Sequence, residues 1–176
     1  MRTEYLLRCE VDNILSALTR TNALVMRVAL HTGLRIGDVL NLKTAQLKPS
    51  FWITERKTGK HKQIGLPEPL LSDLKESAGQ IWVFENRRTG KPHTRQAVWA
   101  DVKRAAKAFR LPQNAAPHSA RKVYAVDLLE KYGDIERVQR ALNHSNPAVT
   151  LIYAMADRQL QSKNKRRRRA AGRKPV

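Results

Sequence analysis

Cysteine is almost missing. Cys9 is the only one in 176 residues, which excludes an intrachain disulfide and any metal site built on a cysteine cluster. Long apolar runs are missing too. No stretch approaches the roughly 20 residues needed to cross a bilayer, and Arg8 and Glu10 interrupt any apolar core that a leader peptide at the start would need. The expectation is a soluble, cytoplasmic protein with no membrane partner. Acidic residues are scarce, 15 against 34 Lys and Arg, giving a formal charge of +19. A globular chain this basic repels itself unless it meets a polyanion, so nucleic acid is the leading partner class. Neither an internal repeat nor a long Gly/Ser linker divides the chain. With 41% apolar residues it carries enough for one main domain and its core.

The one sharp change of composition comes after Gln161. Lys163 to Lys174 holds eight basic residues and no acidic one, which leaves the body at 26 against 15 and still basic. The organisation expected is a domain over residues 1–162 and a basic, disordered tail over 163–176. The run Lys165, Arg166, Arg167, Arg168 and Arg169 suits nonspecific, salt-sensitive contact with phosphates, and disorder does not conflict with that.

Apolar residues recur at helical spacing over Glu10–Leu18, where Val11, Ile14, Leu15 and Leu18 form a stripe, and over Ala23–His31. Thr32-Gly33 interrupts, and a third helix buries Ile36, Val39 and Leu40, leaving Arg35 and Asp38 three apart on another face. The period then shortens. Phe51–Thr54 and Gln63–Leu66 are β-rich runs around the polar segment Glu55–Lys62, a hairpin pattern, with Leu42–Leu47 as a possible third strand. Helix follows at Pro69–Ser77, an extended piece at Ile81–Phe84, a turn at Arg88-Thr89-Gly90 and helix again at Arg95–Phe109. After a loop, His118–Tyr132 reads as a helix ended by Gly133, with His118 and Arg121 on one face. A helix over Ile135–Leu142 and a last one starting near Asn146-Pro147 complete the pattern. The fold class is α+β, mainly helical, with one small antiparallel sheet.

Cutting a phosphodiester without a metal needs cations to offset charge on a five-coordinate phosphorus, a nucleophile, and an acid for the departing oxygen. Arginine suits the first task, since its planar fork grips two oxygens and never loses its charge. One arginine in so basic a chain says little. Tyr153 alone, helically spaced with Val149, Ile152 and Met155, reads as a core residue. The combination is more telling. Thr32-Gly33-Leu34-Arg35-Ile36-Gly37-Asp38 is followed by Lys57-Thr58-Gly59-Lys60, then His118-Ser119-Ala120-Arg121, Leu142-Asn143-His144-Ser145, and Tyr153 nine residues after His144.

In these five ordered elements the chain closely resembles the tyrosine recombinase, or phage integrase, family, over roughly Tyr5 to Arg158. The resemblance implies that Arg35 and Arg121 clamp the scissile phosphate, and that Lys57 protonates the leaving 5′ oxygen. It also implies that His118 shuttles the tyrosine proton, His144 donates to the phosphate, Asp38 braces the cations, and Tyr153 attacks to form a 3′-phosphotyrosine. Lys57 is preferred to its hairpin neighbours Lys60 and Lys62 because it holds the family position before Thr-Gly; those two are read as DNA contacts. A phenol of pKa about 10 needs a base and nearby positive charge to attack, which two Arg and a His supply.

No cofactor and no metal are implied. Two departures are Asn143, where Gly is usual, and Lys122, where His is frequent. The family's N-terminal helical domain, which closes around DNA, is not expected in this sequence. The implied activity is site-specific strand exchange on double-stranded DNA by four assembled protomers, with DNA-bending proteins as further partners and a prophage or mobile element as source. Two alternatives stay open: a noncatalytic DNA-binding protein of the same fold, and a relaxing enzyme like the type IB topoisomerases.

Overall fold

The computed structural model describes residues 3–142. The chain divides into two compact units, Met1–Tyr124 and Ala125–Val176. In the first, α1 (Arg8–Ala17) and α2 (Arg20–Thr32) are followed by the short α3 (Ile36–Leu40). A 3-10 turn at Thr44–Gln46 leads into the hairpin of β1 (Ser50–Thr54) and β2 (His61–Gly65). Then come α4 (Glu68–Ser77) and α5 (Arg95–Ala108), and α6 (His118–Tyr132) carries the chain into the second unit, where α7 (Ile135–Ala141) follows. The mostly helical α+β class expected from the sequence is what forms.

The helix α2 is the hub of the first unit, packing against α1, α3, α4 and α5. Its apolar residues are not confined to one stripe. Leu24, Val25, Met26, Val28 and Ala29 are all buried, as a helix surrounded by others requires. Its start is tied down from a distance: Asp101 of α5 accepts the Thr19 amide at 3.0 Å, the Thr19 hydroxyl at 3.1 Å and the Asn22 side-chain amide at 2.7 Å. Burial pushes the Asp101 carboxyl upward, but these donors and Arg104 outweigh it and hold it at about 2. Shorter-range caps fix the starts of α1, α5 and α7. Glu10 reaches back to the Leu7 amide, Thr94 accepts from Ala97, and Asp134 accepts from Glu136 and Arg137.

The two strands pair antiparallel, with Phe51 opposite Ile64 and Ile53 opposite Lys62. Alternation sends Phe51, Ile53 and Ile64 into the core, while Trp52 stays 63% exposed. The same alternation governs charged residues. Glu55 follows Ile53 by two and is fully buried, and Lys62 precedes Ile64 by two and shares the inward face. The expected third strand at Leu42–Leu47 does not form. Lys43 makes one isolated bridge with Trp82, and the chain then coils because the Gln46 side chain accepts the Lys43 amide while the Lys43 carbonyl accepts the Gln46 amide. Leu42 and Leu47, five apart and both buried, are out of phase for a strand with one inward face.

At the end of α2, Gly33 takes a left-handed φ of 66° and its amide donates to Ala29, closing the helix. A Cβ there would lie 2.3 Å from the Tyr124 ring, so both backbone and space call for glycine. Gly33→Ala is expected to lower stability by about 2–4 kcal/mol, from left-handed strain plus overpacking. Urea unfolding measures it, and an unchanged midpoint would contradict this account of the turn.

Candidate active site

The Gly33 turn places Leu34 in the core and leaves Arg35 in extended conformation at the start of α3. Its guanidinium meets Glu55 at 2.5 Å, a pair in which Arg35 is 23% exposed and Glu55 is not exposed at all. Removing one member of a pair this buried typically costs about 3–5 kcal/mol, because the other charge is left without compensation. Glu55 also accepts the Thr58 hydroxyl at 2.9 Å, while its backbone carbonyl accepts the Gly59 amide and its amide donates to Lys60. Asp38, buried in α3, accepts the Arg56 amide at 3.0 Å. The turn carrying Lys57 is thus fastened on both sides: Glu55 ties it to Arg35, and Asp38 ties it to α3. In this arrangement Asp38 braces the turn's backbone, whereas the sequence pattern pointed to the cations themselves.

Arg121 lies in α6 and is 2% exposed, donating to the Gly33 carbonyl at 2.5 Å. Lys62 donates to the neighbouring carbonyl, that of Thr32, at 2.7 Å, and its ammonium sits 5.6 Å from the centre of the Tyr124 ring. Two adjacent carbonyls at the negative end of α2 therefore take one cation each. Burial lowers the Lys62 ammonium to about 8, with Arg121 and Arg35 adding to the shift and Glu55 opposing it. Lys62, read from the sequence as a DNA contact, lies inward and near the two arginines. Lys60 is exposed on the turn.

Beside Arg35, a cleft of about 600 Å³ is also lined by Lys57, Arg95, Trp99 and His118. A second space of about 730 Å³ adjoins Arg35 and Lys57, with Lys91, His93 and Gln96 along it. His118 begins α6, and its ring pKa is lowered by partial burial, then by Arg121, Lys122, Arg35 and Lys57. A neutral imidazole is thereby favoured in the free protein. Lys122 is buried and donates to the Thr3 carbonyl.

Of the expected site residues, Arg35, Asp38, Lys57, His118 and Arg121 converge, together with Lys62. His144, Tyr153, Lys165, Arg166, Arg167, Arg168 and Arg169 lie outside the described residues. The sequence reading missed Glu55, Arg95, Gln96 and Trp99. For Glu55 the signal was there, in the two-residue period that it shares with Phe51 and Ile53. Nothing local marks the start of α5 as a cleft wall. Among the described residues no group of three His, Cys, Asp or Glu side chains is placed to hold a metal, and no helix is long and apolar enough to cross a membrane.

Lys62 has a measurable signature. Unfolded, its ammonium keeps its proton to about 10.5, but folded it gives it up from about 8, so between these values the unfolded chain binds more protons and rising pH favours folding. The stability of the protein relative to its Lys62→Met variant should therefore climb between pH 7.5 and 10 in urea unfolding. Parallel pH curves for the two would show that Lys62 is not held in this environment.

The chain as a whole has counterparts among known proteins. The model of the phage integrase family matches residues 4–159. The chain is 30% identical over 154 residues to "Probable integrase/recombinase YoeC" of Bacillus subtilis (strain 168), covering 84% of each. It is 31% identical over 162 residues to a tyrosine recombinase of Thermosipho africanus (strain TCF52B), covering 85% of this chain and 56% of that one. It spans about half the length of most of the curated relatives it matches. In fold it is similar to a lambda integrase fragment (75-356), solved as a dimer bound to a COC' core site. The TM-score is 0.73 at 24% identity, covering 88% of this chain and 60% of that one.

Proposed function

Because this chain belongs to the phage integrase family of tyrosine recombinases, we propose that it cuts and rejoins DNA strands at a specific site by transesterification through Tyr153. The observation that carries the reading is the gathering of Arg35, Lys57 and His118, from three distant parts of the sequence, along one open cleft, with Arg121 buried close to His118. Cations this close repel one another, and an exposed cluster of them suits an anion such as a phosphodiester.

In the proposed step, His118 takes the proton of the Tyr153 phenol as its oxygen bonds to phosphorus. Arg35 and Arg121 hold the nonbridging oxygens, and His144 adds a hydrogen bond. The bond from phosphorus to the 5′ oxygen breaks, and Lys57 supplies that oxygen with its proton. The product is a 3′-phosphotyrosine and a free 5′ hydroxyl. Attack by a 5′ hydroxyl from another strand reverses the sequence and frees Tyr153. The phosphotyrosine keeps the energy of the broken linkage, so the step needs no nucleotide. The lowered pKa of His118 supports its role as proton acceptor near neutral pH.

Double-stranded DNA is the partner this reading requires, and the lambda integrase fragment of like fold is bound to a COC' core site. DNA would run over Lys60 and along the start of α5, with Arg95, Gln96 and Trp99 facing it. The basic residues Lys165 to Arg169 would add phosphate contacts whose strength falls with salt. Four protomers on two duplexes, with DNA-bending proteins, would complete strand exchange.

A nicked suicide duplex carrying a candidate attachment site tests the proposal, because loss of the short 5′ fragment traps the adduct. The protein should form a protein–DNA adduct that survives denaturant, and Tyr153→Phe should form none. An undiminished adduct in that variant would remove Tyr153 from the role. If no duplex traps an adduct, the noncatalytic DNA-binding reading replaces this one; relaxation of supercoils without regard to sequence would point to a topoisomerase.

A further inference from the structure

Glu55 stands apart from the other groups at the site. It is an anion, fully buried, among cations that the proposed chemistry uses to hold an anion. Its bonds explain the apparent contradiction. One carboxylate oxygen, Oε2, accepts both Nη1 of Arg35 at 2.5 Å and the hydroxyl of Thr58 at 2.9 Å. Thr58 is the residue next to Lys57, and its hydroxyl accepts in turn from the Lys60 amide. The Glu55 backbone closes the same turn through Lys60 and Gly59. A single oxygen atom thus joins the guanidinium of one element to the turn that carries the lysine of another.

We propose that Glu55 is a positioning residue that fixes the Lys57 turn against Arg35, so that the proton donor and the phosphate clamp are held in register before DNA arrives. The turn needs such a tie. Lys57 lies beyond the last strand pair, Thr54 with His61, and is exposed, so the hairpin ladder alone does not set its place. Arg35 is similarly unsupported by helix geometry, since it precedes α3 in extended conformation. Because Arg35 presents several N–H groups, the one given to Glu55 leaves others for phosphate. The carboxylate also offsets part of the repulsion among Arg35, Lys62 and Arg121.

The inference rests on the recombinase reading, in which Lys57 protonates the 5′ oxygen. A duplex whose scissile 5′ oxygen is replaced by sulfur removes the need for that proton, since a thiolate leaves without one. Glu55→Ala should slow single-turnover cleavage of the ordinary duplex on the order of 100-fold, the scale of a misplaced catalytic group. The sulfur duplex should recover most of that loss, as it should for Lys57→Ala. Glu55→Gln keeps an acceptor for Arg35 and Thr58 and should stay within about tenfold of the unaltered protein. Equal losses by Glu55→Ala on both duplexes, or no loss on either, would overturn the inference.

Amide exchange in the free protein gives a reading that needs no DNA. Gly59 and Lys60 should exchange faster in Glu55→Ala and not in Glu55→Gln, with the α2 amides unchanged in both. Turn amides unaffected in Glu55→Ala would sink the inference by themselves. A protein that trapped no adduct would instead sink the recombinase reading and leave the exchange result standing.

Discussion

Lys62 and Arg121 bring like charges into the interior, and the two carbonyls that end α2 are what make that possible. Left in an apolar core, either cation would be too costly to keep charged. Thr32 and Gly33 each offer a carbonyl that the helix itself no longer uses, at the end where the helix dipole is negative. The left-handed turn at Gly33 has to follow at once, because it stops the helix and sends Arg35 toward the cleft. One helix terminus therefore fixes three of the cations, two directly and one through the path of the chain.

The remaining contacts hold this arrangement in place. Asp101 secures the start of α2, so that its far end is presented from a rigid rod. The Tyr124 ring fills the space over Gly33 and lies beside the Lys62 ammonium, which links the turn, the hairpin and α6 in one contact group. Asp38 and Glu55 act on the hairpin turn, each carboxylate accepting a hydrogen bond from it. Few acidic residues are present, and two of them are used here.

The helices were legible in the sequence because their apolar spacing and end signals agree. Gly33, Thr94 and Asp134 stand where the helices stop or start. Arg35, His118 and Arg121 were legible only as members of an ordered set, since no property of a lone arginine separates a clamp from a solvated surface. Leu42–Leu47 misled because its apolar content resembles a strand, while the side-chain bond from Gln46 that coils it depends on one rotamer. Lys62 was read as a DNA contact, and its two-residue spacing from Ile64 already put it on the inward face. Charge is the weaker guide inside a hairpin, where alternation decides direction before polarity does. The cleft wall at Arg95 to Trp99 depends on how α5 packs beside α3, a long-range relation that no local pattern encodes.

That alternation couples the chemistry to the assembly of the sheet. Phe51, Ile53 and Glu55 share one face of the hairpin, and Lys62, Ile64 and Leu66 share it from the other strand. Were β2 to slip by one residue, Ile64 would turn to water at the same moment that Lys62 left the arginines, and a slip of β1 would do the same to Ile53 and Glu55. A protein with a misaligned site would therefore also be one with a broken core. Quality control of the fold, by proteolysis or aggregation, then acts as quality control of the site. A population of molecules with a sound core and a misaligned site is suppressed by the hairpin's own geometry.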